Sequence, residues 1–168
     1  MADNVIGRLE RIRRHPVKSM AGEDVNAIYV HETGLNGDRV FAFYDHNSRR
    51  EELPYFTGRE KRGLLLLEPK IIEEPDITKP YPEGYRPSID VKLPDGNVHN
   101  LSELTIIDYI KSLCESKKIS IELDYRRAGI QDSKPVSIVG LETINQLSSE
   151  TGTRIDPRAF RENFYVDW

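Results

Sequence analysis

Hydrophobic and polar positions alternate through much of this chain, with the period of two that marks half-buried strands. Val5 to Ile12 mixes apolar and basic residues in this way, and Asn26 to Val30 is short and β-branched. Arg39 to Tyr44 (RVFAFY) is aromatic and apolar, a strand signature. Gly63 to Ile72 (GLLLLEPKII) predicts another strand, interrupted at Pro69. Ile89, Val91 and Leu93 alternate up to Pro94-Asp95-Gly96-Asn97, and Val98 returns, which is a hairpin pattern. Ile119, Ile121, Leu123 and Tyr125 alternate again. Short strands are expected at Pro135 to Val139 and Phe164 to Val166.

The period changes to that of a helix in two places. Ile106, Ile107, Ile110, Leu113 and Cys114 share one face of a helix expected from Ser102, as N-cap, to Glu115. Leu141, Ile144 and Leu147 mark a second helix closed by Gly152. Pro157 to Arg161 reads as a single helical turn. Between elements, Asp45 to Arg62 is a polar excursion, and the prolines of Glu73 to Pro87 predict a surface loop. The fold class is mainly β (α+β), a β-rich, partly closed barrel with one or two packed helices. A strand beginning at Phe164 either pairs with an earlier strand or belongs to a fragment.

Composition sharpens this picture in three respects. With 168 residues, 38% hydrophobic, the chain can bury a core without disulfide or metal support. Its net charge of -4 argues against a general nucleic-acid binder. Arg8, Arg11, Arg13, Arg14 and Lys18 nevertheless crowd the start, as a solvated strand face or a patch for a small anion would require. The lone cysteine, Cys114, is expected to pack in the core. A single cysteine, a charged N-terminus and no long apolar run together predict a soluble, cytoplasmic protein with no membrane partner.

Three short stretches carry candidate chemistry. In His15-Pro16-Val17-Lys18-Ser19-Met20 a proline-fixed bend projects an ammonium and a hydroxyl, suited to phosphate; an ordinary exposed turn is the alternative. In Gly34-Leu35-Asn36-Gly37-Asp38-Arg39 two glycines bracket a turn that feeds a strand. Asp38 and Arg39 are expected to leave on opposite strand faces, and Arg39 either clamps a phosphate or forms a structural ion pair with a carboxylate. In Phe160-Arg161-Glu162-Asn163-Phe164, Arg161 offers a planar fork of donors, or the segment is a helix-to-strand corner. His15, His31, His46 and His99 lack metal-ligand spacing and read as surface or turn residues. Glu51-Glu52, Glu73-Glu74 and Asp76 read as solvated acidic loops.

These stretches, in this order, resemble the MOSC (molybdenum-cofactor sulfurase C-terminal) proteins. RIRRHPVKSMAGEDVNAIYVHETGLNGDRVFAFYD is similar to the opening of their N-terminal β-barrel domain, with its "YPVKS…G" and "GL.GDR" turns; His15 stands in place of the tyrosine. Phe56-Thr57-Gly58-Arg59-Glu60 resembles the family's "T-x-R-E" segment, and Asp132 to Asp167 resembles the start of the MOSC core, with a "P-V-S-I" strand and an "FR-x-N" corner. The resemblance implies residues 1–127 as the N-terminal domain and 128–168 as the opening of a truncated core. It implies molybdenum cofactor (molybdopterin) as ligand, held by Lys18, Ser19, Arg39, Thr143, Arg161 and Asn163. Sulfur transfer or molybdenum-dependent reduction of N-hydroxylated substrates would follow, with pyridoxal phosphate binding as a further family association. A redox or sulfur-transfer protein partner and a homodimer are also implied expectations. The family's thiol lies beyond the "FR-x-N" corner, so the chain is expected to lack the usual catalytic cysteine. A non-catalytic β-domain for substrate recognition or protein interaction is the alternative.

Overall fold

The computed structural model describes residues 5–114 and 119–168. It is mostly sheet with two helices, in four small sheets. Among the described residues these sheets do not close into a barrel.

The largest sheet joins the two ends of the sequence. Strand β1 (Arg8–Arg14) pairs antiparallel with β2 (Glu23–Val25) on one side. On the other it pairs antiparallel with β11 (Phe164–Asp167), with a register irregularity between Leu9 and Arg11. Strand β10 (Ile138–Gly140) then adds parallel to β11, giving the order β10-β11-β1-β2. The late strand at Phe164 therefore does find an earlier partner.

Only the ends of Asn26 to Val30 touch strands: β2 stops at Val25, and β3 (Val30–His31) forms a two-residue ribbon with β4 (Gly34–Leu35). The aromatic strand is β5 (Phe41–Asp45), which starts two residues later than expected and pairs with β9 (Ile121–Tyr125). Arg62–Leu66 is a 3-10 turn, not a strand, and it buries Leu64. The strand proper is β6 (Glu68–Ile72), where Pro69 is tolerated because β6 lies at a sheet edge. The expected hairpin forms between β7 (Ser88–Lys92) and β8 (Val98–Asn100).

Helix α1 (Leu104–Ser112) turns Ile106 and Ile110 into the core, with Ile107, Leu113 and Cys114 packed beside them. Glu103 occupies the N-cap position; the Ser102 hydroxyl donates instead to Asn100 Oδ1 at 2.6 Å. The expected end at Glu115 lies outside the described residues. Helix α2 (Leu141–Thr151) ends at Gly152, whose φ of 63° is the left-handed cap that glycine adopts without a Cβ clash. No helix among the described residues is long and apolar enough to cross a membrane.

The core gathers Val17, Met20, Phe41, Phe43, Phe56, Leu64, Leu67, Ile89, Val91, Ile106 and Ile110. Val17 and Met20 flank Lys18-Ser19, so the apolar members of that bend are anchors and its polar members are what the anchors present.

A cationic cleft where four segments meet

Four segments of the chain are stitched together by hydrogen bonds, each with a main-chain group on at least one side. The His15 amide donates to Asp38 Oδ1 at 2.6 Å, the Arg39 amide to the His15 carbonyl at 2.6 Å, and the Lys18 amide to the Phe41 carbonyl at 2.8 Å. These bonds lay residues 15–18 alongside residues 38–41. Gly37 forms the turn just before Asp38: its φ is 70°, and a Cβ there would sit 2.6 Å from Ile71 Cδ1. The Ile130 amide donates to the Arg39 carbonyl at 2.8 Å and so brings in residues 130–132. Arg39 Nη2 donates to the Arg161 carbonyl at 2.9 Å, and Arg161 donates in turn to the Met20 carbonyl, which ties in the fourth segment.

A cleft of about 810 Å³ opens at this junction. Lys18, Ser19, Arg39 and Arg161 line it together, although they come from three distant parts of the sequence. Arg50, Arg59 and Lys134 add positive charge, against Asp132 and Glu162. Arg50 is partnered by Glu60 at 3.0 Å. Leu53, Leu65 and Phe160 supply an apolar portion.

Four non-glycine residues of the described chain have left-handed backbone: Ser19 (φ 67°), Arg39 (53°), Glu73 (54°) and Arg161 (58°). Three of these four line the cleft. Such a conformation costs about 1–3 kcal/mol per residue and collects at functional positions. It also explains why Arg39 and Asp38 do not leave on opposite faces: Arg39 precedes β5 and pairs with Asp38. The structural ion pair and the cleft-lining position are both realised.

Charge is concentrated without being fully neutralised. The Arg161 guanidinium is pushed down to about 10 by burial first and then by Arg39, and so stays charged near neutrality. The Lys18 ammonium is almost fully buried, donating to the Ile130 carbonyl at 3.0 Å and to Asp132. Burial opposes the charge of Asp132, but Lys18, Arg59 and Arg39 outweigh it and hold that carboxyl below its ordinary value.

Two of the expected residues lie elsewhere. Thr143 is exposed on the first turn of α2 and does not line the cleft. Asn163 is buried as a tie between strands: its amide donates to the Arg13 carbonyl at 3.1 Å and its Oδ1 accepts from the Ser137 amide at 3.2 Å.

Two residues expected in exposed turns and loops are buried or partnered. His15 is 1% exposed, and neither ring nitrogen has a hydrogen-bond partner among the described residues. Burial, then Arg161, Arg39 and Arg13, push its ring down to about 2, so it is neutral. Its position inside a proline turn hid this burial. Glu74 is no free loop carboxylate either: it binds Arg14 and Tyr81, where Arg14 is also held by Glu23 at 2.8 Å. Arg59 and Thr57 were legible only as a motif, and Lys134 carried no signal beyond its charge. Cys114 lies away from the cleft on the core side of α1, its thiol pushed up by burial. No group of three or more potential metal ligands occurs among the described residues.

No curated protein and no solved structure gives a significant match to the chain. A family model described as the MOSC N-terminal beta barrel domain matches residues 6–109, a span that contains Lys18, Ser19, Arg39, Thr57 and Arg59. That span exceeds half of the sequence, and the chain belongs to the MOSC N-terminal beta barrel domain family.

Proposed function

We propose that this cleft binds the phosphate-bearing pterin of molybdenum cofactor, as part of MOSC-type sulfur transfer or molybdenum-dependent reduction of N-hydroxylated substrates. The observation that carries the reading is the convergence of Lys18, Ser19, Arg39 and Arg161 on one cavity. An ammonium, two guanidinium groups and a hydroxyl fit a phosphate monoester in number and chemistry. Leu53, Leu65 and Phe160 offer surface for the ring portion of such a ligand. When bound, the cofactor supplies redox chemistry at its metal. The chain's own residues neutralise and orient the phosphate, and Asp38 holds Arg39 in its clamp position. Residues 1–127 would form the N-terminal domain, and residues 128–168 would contribute Arg161 as the opening of a core.

One observation favours a second reading. The sole cysteine packs against the core and does not line the cleft, so this chain supplies no thiolate there. A non-catalytic domain that recognises the ligand, or covers it for a protein partner, accommodates that arrangement.

Titration of the purified chain with molybdopterin, followed by the fluorescence of Trp168 and the tyrosines, tests the first reading. Lys18→Ala and Arg161→Ala should each weaken binding about 10- to 100-fold, the worth of a charge-assisted hydrogen bond. Absence of binding by the unaltered chain would sink it and leave the interaction-domain reading.

A further inference from the structure

The cleft already contains an anion of its own. The Lys18 side chain is 5% exposed and has two acceptors: the Ile130 carbonyl and the Asp132 carboxylate. These acceptors differ in how firmly they are held. Ile130 is buried, and its amide is bonded to the Arg39 carbonyl at 2.8 Å, so its carbonyl is fixed against the cleft floor. The Asp132 side chain is 60% exposed, sits in an irregular segment, and has no side-chain hydrogen bond other than the one to Lys18 among the described residues. A buried cation is thus neutralised by a carboxylate that solvent can reach.

We infer that Asp132 is a built-in competitor for the anionic ligand, standing on the Lys18 ammonium that a phosphate would use and yielding it when a doubly charged group arrives. This rests on the anion-site reading above and adds the specificity of that site. A phosphate group beside an undisturbed Lys18–Asp132 pair would meet a like charge, which opposes binding. A phosphate that replaces Asp132 brings up to two negative charges and three acceptor oxygens where the carboxylate supplied one charge. A singly charged carboxylate ligand gains nothing by the same exchange. Asp132 therefore discriminates by charge, favouring phosphate monoesters over monoanions. Once released, it still feels the positive charge of Arg59 and Arg39, which already act on it. Arg59 lines the same cleft at an exposed position and is open to receive it.

Calorimetric titration of the whole chain with inorganic phosphate, and separately with acetate, tests this. Asp132→Asn keeps an acceptor for Lys18 but removes the competing charge. It should bind phosphate at least about fivefold more tightly than the unaltered chain, and should gain measurable acetate binding. Lys18→Ala should lose phosphate binding in either background. Equal or weaker phosphate binding by Asp132→Asn, with Lys18→Ala still damaging, overturns the inference and spares the anion site. Failure of both the unaltered chain and Asp132→Asn to bind phosphate removes the anion site and the inference together. Should Asp132→Asn fold poorly, thermal unfolding across a phosphate series reads the same linkage. A larger phosphate-dependent rise in Tm than in the unaltered chain supports the inference, and an equal or smaller one overturns it.

Discussion

The Asn163 side-chain Nδ2 donates to the Arg13 carbonyl at 3.1 Å, and the Arg13 main-chain amide donates to the Asn163 main-chain carbonyl at 2.8 Å. This reciprocal pair fixes the corner that carries Arg161 against the strand that leads to Lys18. Asn163 also accepts from the Ser137 amide and hydroxyl, both at 3.2 Å, so its side chain joins β1 to the residues that lead into β10 and β11. It sets the distance between cleft-lining residues.

Asn163→Ala strands the buried Arg13 carbonyl and leaves the half-buried Ser137 amide without its partner. It should lower stability by about 2–3 kcal/mol. Urea denaturation checks this, and Ser137→Ala should do less, because the Ser137 main chain keeps its bonds to residues 163 and 164. A loss for Asn163→Ala within error of zero would show that the corner is held by its backbone alone.

Ser19→Gly separates stability from binding. Glycine adopts the observed φ of 67° freely, so the variant should unfold about 1 kcal/mol later than the unaltered chain. The hydroxyl is lost, so molybdopterin affinity should fall. A rise in both stability and affinity would show that the Ser19 side chain is not part of the site.

His15 makes the fold acid-sensitive. The unfolded chain takes up a proton near pH 6.5, which the native chain refuses until about pH 2, because its ring is held neutral. Stability is therefore fully present above pH 6.5 and falls as pH drops below it, by about 1.4 kcal/mol per pH unit from this residue. His15→Gln should flatten that slope between pH 6.5 and 5, a window above the titration of carboxylates, whatever it does to absolute stability. Parallel slopes for the two proteins would mean that His15 gains a proton in the native state.

Arg14 is the charge hub on the side of β1 away from the corner, with Glu23, Glu74 and Tyr81 around a side chain 2% exposed. Arg14→Met leaves two carboxylates without their buried partner and should cost about 3–5 kcal/mol. Arg14→Lys should restore little of that, since one ammonium cannot span both carboxylates as the guanidinium fork does. Chemical denaturation midpoints at equal slope decide the matter.

How far the sequence revealed this architecture depends on the range of the interactions involved. The hairpin after Ser88, the face of α1 and the Gly152 cap are set by neighbours a few residues apart, and periodicity displays them. Arg62–Leu66 misled because a run of leucines has no period; a 3-10 turn that buries Leu64 fits it as well as a strand does. Lys18, Ser19, Arg39 and Arg161 were found through motif order, and each is presented by a local bend. Thr143 was placed by analogy of position alone and lies outside the cleft. The partnership of Glu74 with Arg14 spans 60 positions, and the burial of His15 brings it to Arg161 from farther still, so no local pattern encodes either.

Pairing β1 with β11 also sets an order of events during folding. Closing a loop of about 150 residues carries an entropy cost of about 4 kcal/mol before any contact rewards it. Sequence-distant pairing of this kind slows folding. During synthesis, the ribosome releases Lys18 and Arg39 long before Arg161, so the emerging chain holds half a clamp whose edge strand awaits its neighbour. A cleft with all three cations in place therefore exists only once the segment carrying Arg161 has been made and β11 has paired with β1.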